Sequence, residues 1–461
     1  MKILLLHDVQ ADKQNGVSVS LGILSRELEK LGYDIKILTL SDGTKSYKEG
    51  NNYYLSSVPA LIYPGIRMRL RRHNRFADEL ISWNPDIIHT NCEFSTFRIA
   101  KFIRSKCKKT PVWIHTFHTD YKYYIGFLQK SQLVRDKMVP WYLNRCFVMS
   151  DALIVPTNKI YTYVSNESFA KHINKNIIPT GIDFSELKKQ REQSRAKTKQ
   201  ELGIPVDAKV LIFLGRISAE KNLDELIECF TKYCETHDNV YLLTVGDGPY
   251  KETLIKKVKK LGIEHRVVIH PGVKHTDIRK YYDVADVFAS ASESETQGLT
   301  FYEALFCNLP VLAKDKECLY DAISEGENGA FFDNAESFTE SLNKIINLRE
   351  NSEDEQTKLP KCFESEYFAK SVADLYEATL KKQAESPVIE KNDFHKLLEK
   401  GKKLKVKLSD ENDRFKSKIS DNSEKLKSSI TTRTNQVKDK ISTETSKLKD
   451  KISDTVDKFM K

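Results

Sequence analysis

Residues 210–222 read VLIFLGRISAEKN: five apolar residues run without interruption into a turn that carries an arginine and a lysine. A short apolar run of this kind is typical of a strand that is buried on both faces, and such strands form parallel sheets. The same pattern recurs at 240–245, 267–270, 287–289 and 311–313. This part of the chain is therefore predicted to be a doubly wound α/β domain, with helices on both faces of a parallel sheet.

The first 180 residues show the same alternation of apolar runs and amphipathic stretches. A helix is expected at 21–31, and strands are expected at 3–6, 35–40, 86–89, 112–116, 152–156 and 177–179. The chain is thus predicted to be α/β, with a Rossmann-like domain over 1–180, a second over 181–385 and a tail over 386–461. The two domains should turn the carboxyl ends of their strands toward one cleft, where such sheets bind ligands.

The tail carries an 11-residue repeat of apolar residues. One series is Leu404, Phe415, Leu426, Val437, Leu448 and Phe459, and a second is Leu408, Ile419, Ile430, Ile441 and Ile452. Eleven residues complete three helical turns, so the pattern predicts a long amphipathic helix of about 100 Å. Lysines flank the stripe on both sides. Two interpretations remain open: a helix lying on an anionic membrane surface, or a right-handed coiled coil that makes a homo-oligomer.

Charge is concentrated in this tail. Residues 391–461 hold 20 Lys and Arg against 12 Asp and Glu, which is eight of the net nine positive charges of the chain. The interleaved acids and the few aromatic residues argue against nucleic-acid binding. The eight cysteines form no C-x-x-C pair, and no leader or membrane-spanning run is evident, so a cytoplasmic protein is expected.

The most specific motif is SESETQGLTFYEALFCNL at 292–309, a loop at a strand end that leads into a helix. Glu295 and Glu303 are separated by seven residues, and Gly298-Leu299 should present backbone N–H groups at the helix start. Such a terminus attracts anions, and the carboxylates suit hydroxyl-rich sugars.

This segment resembles the signature of the family four retaining glycosyltransferases, which have the GT-B fold. Four further motifs match in order and extend the resemblance over roughly residues 1–383: Asn15-Gly16-Val17, residues 178–183 (IPTGID), residues 215–222 (GRISAEKN) and residues 245–249 (VGDGP). The resemblance implies a UDP-sugar donor and no required metal or other cofactor.

The resemblance also implies roles for individual residues. Arg216 and Lys221 would neutralise the leaving diphosphate, and Gly16, Val17, Gly246, Gly298 and Leu299 would line the donor site. Glu303 would bind the ribose and Glu295 the donor sugar, with retention of anomeric configuration. His118, in the FHTDY sequence at 117–121, would lie near the reacting sugar and the acceptor. His115 is the weaker candidate in this segment.

A membrane-lipid acceptor is suggested by the basic tail, by an arginine cluster over 67–75 and by the aromatic and basic segment 121–142. The sequences ETQGLTFYE at 295–303 and FHTDY at 117–121 resemble those of the branch of this family that glycosylates diacylglycerol for glycolipids and lipoteichoic acid anchors. We therefore expect a hexosyltransferase that moves glucose from UDP-glucose to diacylglycerol on the inner face of the cell membrane, with UDP-galactose as the next candidate donor. The alternative is a polysaccharide or protein glycosyltransferase whose tail mediates oligomerisation or partner binding.

Overall fold

A computed structural model of the protein describes residues 1–8, 16–59, 67–121, 139–166, 173–188, 194–314, 316–320, 322–348 and 359–385. Residues 1–379 form one unit, which contains both of the large sheets. A second unit begins at Leu380, and the structure describes only residues 380–385 of it. The amphipathic helix predicted over 386–461 lies outside the described residues.

Within the described residues, the first part of the chain builds a sheet of eight strands. These are β1 (Lys2–Leu6), β2 (Asp34–Ser41), β3 (Tyr47–Glu49), β4 (Asn52–Ser56), β7 (Ile87–Thr90), β8 (Val112–Thr116), β9 (Ala152–Val155) and β10 (Lys175–Ile177). A separate short pair is formed by β5 (Val58–Pro59) and β6 (Arg67–Met68). The large sheet has the order β10-β9-β8-β7-β1-β2-β4-β3, and its pairings are parallel except β3 with β4.

The second sheet has six strands, counted over the part of the chain that the structure describes. They are β11 (Lys209–Leu214), β12 (Val240–Val245), β13 (Val267–His270), β14 (Val287–Ser290), β15 (Val311–Ala313) and β16 (Gly329–Phe331). The order is β13-β12-β11-β14-β15-β16, and all pairings are parallel. The order reverses between β11 and β14, which is the type of position where doubly wound sheets bind ligands.

The α-helices connect these strands. They span Gly16–Lys30, Arg75–Trp83, Ser95–Lys106, Val139–Phe147, Asn158–Asn166, Ser185–Lys188, Arg195–Glu201, Leu223–Cys234, Lys251–Lys260, Arg279–Val284, Leu299–Phe306, Lys316–Leu319, Ala335–Ile345 and Ser365–Glu385. None of the described helices has the length and apolar character needed to cross a bilayer.

Strand β11 shows why apolar runs predict this architecture. Val210 and Ile212 belong to one buried cluster, whereas Leu211 and Phe213 belong to the cluster on the opposite face of the sheet. Because successive side chains of a strand point to opposite faces, a strand covered by helices on both sides must be apolar throughout. Each such side chain contributes about 2 kcal/mol when it is fully buried.

The two-sheet α/β fold class is confirmed. The sequence pattern missed β3, β4, β5, β6 and β16. Of these, β3 is exposed at every position, β4 alternates between buried and half-buried residues, β5 and β6 have two residues each, and β16 begins with a glycine. The last described helix spans Ser365–Glu385. Its Tyr376 and Glu377 contact the first domain, where they bond His89 and Tyr33.

Candidate active site

The turn after β11 carries Arg216 and packs against the turn after β12. Gly215 N donates to Val245 O at 3.0 Å, and Ile217 N donates to Asp247 O at 3.0 Å. Gly246 lies so close that an added Cβ would sit 1.9 Å from the carbonyl oxygen of Gly215. Only glycine allows this approach, and it fixes the backbone on both sides of the half-buried Arg216.

Lys221 and Glu295 form an ion pair at the carboxyl ends of β11 and β14. Their Nζ and Oε1 atoms are 2.7 Å apart. Burial alone would lower the pKa of Lys221 and raise that of Glu295, but each partner reverses the effect, so the pKa of Lys221 is raised and that of Glu295 is lowered. Ser294 Oγ also donates to Glu220 O at 2.9 Å. The turn that carries Arg216 and Lys221 (the cationic turn) is therefore joined to the loop that carries Glu295 (the acidic loop).

The other glutamate lies one turn into the helix Leu299–Phe306. That helix begins after Gly298, which has the left-handed conformation φ 73°, ψ 64° and leaves no room for a Cβ beside Phe301. Glu303 is buried and accepts hydrogen bonds from Tyr282 Oη at 2.8 Å and from His275 Nε2 at 3.1 Å. These two donors orient its carboxylate.

His118 brings the first domain to this loop. Its backbone carbonyl accepts a hydrogen bond from Thr296 Oγ1 at 3.1 Å. Its Nε2 lies 3.0 Å from Asn91 Oδ1, and since an amide oxygen only accepts, Nε2 carries the proton. Burial, with His115 and His7 nearby, lowers the pKa of His118 to about 3. The ring is thus neutral near pH 7, and Nδ1 is available as an acceptor.

Two further histidines line the same strand ends. His115 is buried and contacts Glu93 Oε1 at 3.2 Å and Thr90 Oγ1 at 2.9 Å, so its ring is engaged within the first domain. His7, at the end of β1, is buried, and neither ring nitrogen has a hydrogen-bond partner among the described residues. Burial lowers the pKa of His7 to about 4.

Gly16 and Val17 form the first turn of the helix Gly16–Lys30. A Cβ added at Gly16 would meet nothing within 4 Å. Asn15, the first residue of this predicted motif, lies outside the described residues. Among the described residues, no group of three or more His, Cys, Asp or Glu side chains is arranged to hold a metal ion.

Sequence reasoning missed the side chains that hold the predicted ones. Tyr282 and His275 orient Glu303, and Asn91 fixes the tautomer of His118. Gln297 joins the loop to Thr180 in the other domain. Its Nε2 donates to Thr180 O at 2.9 Å, and its Oε1 accepts from Thr180 N at 2.7 Å. Of these four residues, only Gln297 could have been noticed from the sequence, because it lies inside the motif at 292–309. Tyr282, His275 and Asn91 lie in segments that carry no such motif.

Solved structures share the two-sheet fold over nearly their whole length. Sucrose-phosphate synthase from Thermosynechococcus elongatus matches with a TM-score of 0.65 and 17% identity, over 83% of this chain and 99% of that one. Anabaena HepE, solved with UDP and glucose, matches with a TM-score of 0.63 and 18% identity, over 82% and 100%. Such low identity defines the fold alone. The architecture is GT-B, the fold of a large class of glycosyltransferases.

Sequence comparison identifies the family of glycosyltransferases to which the chain belongs. Residues 14–186 match the family described as Glycosyltransferase Family 4, and residues 194–359 match Glycosyl transferases group 1. Alpha-monoglucosyldiacylglycerol synthase of Streptococcus pneumoniae is 32% identical over 386 residues, which is 82% of this chain and 85% of that protein. The Acholeplasma laidlawii protein of the same name is 28% identical over 398 residues, 82% and 96% of the two chains. The chain belongs to glycosyltransferase family 4, as its motifs indicated, and it is a glycosyltransferase.

Proposed function

We propose that this enzyme transfers glucose from UDP-glucose to diacylglycerol, with retention of anomeric configuration, at the cytoplasmic face of the cell membrane. The observation that carries the proposal is the similarity, over 82% of the chain, to two proteins named alpha-monoglucosyldiacylglycerol synthase. The cleft supports it, because it combines two cations, two carboxylates and a neutral histidine at facing strand ends.

In this proposal the cations take the nucleotide diphosphate. Arg216 and Lys221 neutralise the charge that grows on the leaving group, assisted by backbone N–H groups near Gly16, Gly246 and at Gly298-Leu299. Positive charge from the protein makes a metal ion unnecessary. Glu303, held by two donors, accepts from the ribose hydroxyls, and Glu295 accepts from hydroxyls of the donor sugar.

The reaction breaks the bond between C1 of glucose and the β-phosphate oxygen and forms a bond from C1 to the acceptor oxygen on the same face. The acceptor hydroxyl proton passes to the departing phosphate. Neutral His118 accepts a hydroxyl hydrogen bond through Nδ1, because its Nε2 is committed to Asn91. It positions the sugar and does not remove the proton.

Exposed apolar and basic residues of the first domain support the membrane location, although residues 122–138 of the aromatic and basic segment lie outside the described residues. Leu70 is 67% exposed and Trp141 is 59% exposed, and the guanidinium of Arg145 lies 5.1 Å from the Trp141 ring centroid. Arg71 and Arg72 follow Leu70 and are exposed. Apolar residues insert shallowly into a bilayer, while basic residues near anionic headgroups contribute about 1 kcal/mol each.

Two arginines of the 67–75 cluster have structural roles instead. Arg67 donates to Ser57 Oγ at 2.7 Å and to Ser57 O at 2.7 Å, and Arg69 donates to Ser56 O at 2.7 Å. These bonds hold the segment against the neighbouring strands. The proposed membrane contact therefore rests on Arg71, Arg72 and Arg75, which are exposed.

For residues 386–461 we propose a helix that forms on anionic bilayers. Circular dichroism of the full chain and of a variant truncated after Glu385, with and without phosphatidylglycerol vesicles, tests this. A lipid-dependent gain in helix that is confined to the full chain supports the proposal, and equal spectra refute it. Concentration-dependent mass without lipid would indicate the coiled coil.

The function itself is tested with radiolabelled UDP-glucose and diacylglycerol vesicles, with and without phosphatidylglycerol. We expect labelled monoglucosyldiacylglycerol, formed faster on the anionic vesicles. The double variant Arg71→Gln/Arg72→Gln should depend less on anionic lipid than wild type, since Arg75 and the basic tail remain, and it should keep its affinity for UDP. Label that appears on a polysaccharide or a peptide, and not in extracted lipid, would refute the acceptor.

A further inference from the structure

The loop that carries Glu295 is bound by two side chains of the first domain. Lys159 Nζ donates to the carbonyl oxygens of Glu293 at 2.8 Å and Glu295 at 3.1 Å. Thr157 Oγ1 donates to the carbonyl oxygen of Thr296 at 2.8 Å. Both donors lie at the start of the helix Asn158–Asn166, directly after β9. Three carbonyl groups of the loop are therefore satisfied from the other domain.

These contacts fix Glu295 from two directions. Its backbone carbonyl is held by Lys159, and its carboxylate is held by Lys221 of the second domain. Lys159 is half-buried, and its charge adds to the effect of Lys221 in lowering the pKa of Glu295. A lysine at this point thus acts on both the position and the ionisation of the carboxylate.

We propose that Lys159 is a positioning residue for sugar transfer, which assembles the Glu295 loop by binding the carbonyl groups of Glu293 and Glu295. The inference rests on the proposed role of Glu295 at the donor sugar. It follows that the acceptor-side domain does more than hold the acceptor, since it completes the geometry of the donor site. The Glu295 loop is correctly formed only when Lys159 of the first domain contacts it.

The test uses Lys159→Met, which keeps the length and most of the apolar stem. Two hydrogen bonds from a charged donor are lost, so we expect kcat for glucose transfer to fall about 30-fold. The affinity for UDP should stay within about threefold, because the proposed diphosphate and ribose contacts remain. Lys159→Arg should recover most of the lost kcat, since a guanidinium also donates to two carbonyls. Lys344→Met, an exposed lysine of the helix Ala335–Ile345, is the matched control.

A second measurement does not depend on the substrate. Amide hydrogen exchange of peptides covering 292–299 should become about tenfold faster in Lys159→Met, while peptides covering 335–345 should be unchanged. Equal loop exchange and equal kcat per folded molecule in Lys159→Met and wild type would overturn the inference. So would a lowered thermal midpoint with unchanged kcat and exchange, because Lys159 would then contribute to stability alone.

The two proposals fail separately. A wild-type enzyme that leaves diacylglycerol unglycosylated would refute the proposed function, whereas the exchange measurement would still decide the role of Lys159. Conversely, normal transfer by wild type and by Lys159→Met would refute the positioning role and leave the function in place.

Discussion

Replacing Gly246 by alanine tests whether the packed pair of turns positions the cationic end of the cleft. The added Cβ would lie 1.9 Å from the carbonyl oxygen of Gly215 and 3.5 Å from Cγ1 of Ile217. Real Cβ atoms essentially never approach closer than 3.0 Å, so the two turns must separate by about 1 Å in a tightly packed region. Because Gly215 directly precedes Arg216, the guanidinium moves with its backbone.

Two effects follow. Overpacking should lower the free energy of unfolding by about 1–3 kcal/mol. A displacement of about 1 Å at a charge-stabilising group should lower kcat/KM for UDP-glucose about 100-fold. The first is measured by urea denaturation, and the second by the vesicle assay with enzyme concentration corrected for the folded fraction.

Gly22→Ala is the matched control for the same chemical change. Gly22 lies within the helix Gly16–Lys30, and a Cβ there would meet nothing within 4 Å. It should stabilise the protein by about 0.5–1 kcal/mol and leave kcat/KM unchanged. If Gly246→Ala transferred glucose and bound UDP as wild type does, the reasoning that these turns hold Arg216 at the diphosphate would be refuted.

Three other changes have expected outcomes. Lys221→Met leaves the Glu295 carboxylate without its cation, so the pKa of Glu295 should rise and the acid limb of the pH–rate profile should move to higher pH. Transfer should fall about 100-fold or more. A loss of transfer that is independent of pH would contradict the role of the ion pair. His118→Ala should remove most sugar transfer while isothermal titration shows UDP affinity within about threefold of wild type, and near-normal turnover would contradict its assignment. Burial holds the pKa of His7 at about 4 and that of His89 at about 3, below the unfolded value of 6.5, so the unfolded chain binds more protons as pH falls and stability is lost below that value. Urea denaturation should show a loss of about 1 kcal/mol per pH unit for each of these histidines between about pH 6 and 4, and a smaller slope in His7→Leu; an unchanged slope in that variant would contradict the assignment.

The strands that bear the site could be predicted, since burial on both faces leaves only apolar residues. That constraint marked β11, β12 and β14 without any knowledge of their neighbours. Short or exposed strands escape it: β3, with the sequence YKE, is exposed at every position and is recognised only through its pairing with β4.

In the candidate site, too, some residues could be predicted from the sequence and others could not. The family resemblance pointed to Glu295 and Lys221, but their 2.7 Å contact spans 74 positions and depends on how β11 and β14 align. The supporting residues Lys159 and Tyr282 could not be found from spacing. Their role depends on a hydrogen bond to a loop from another element, and no local pattern encodes that bond.

Binding of UDP and of inorganic pyrophosphate by three variants tests the cleft most directly. Isothermal titration should show that Arg216→Met and Lys221→Met weaken both ligands by about tenfold or more, because both ligands present a diphosphate to the cationic turn. Glu303→Gln should weaken UDP alone, because pyrophosphate has no ribose. Unchanged affinities in all three variants, or equal losses of both ligands in Glu303→Gln, would contradict the division of the site into a cationic diphosphate end and an acidic ribose end.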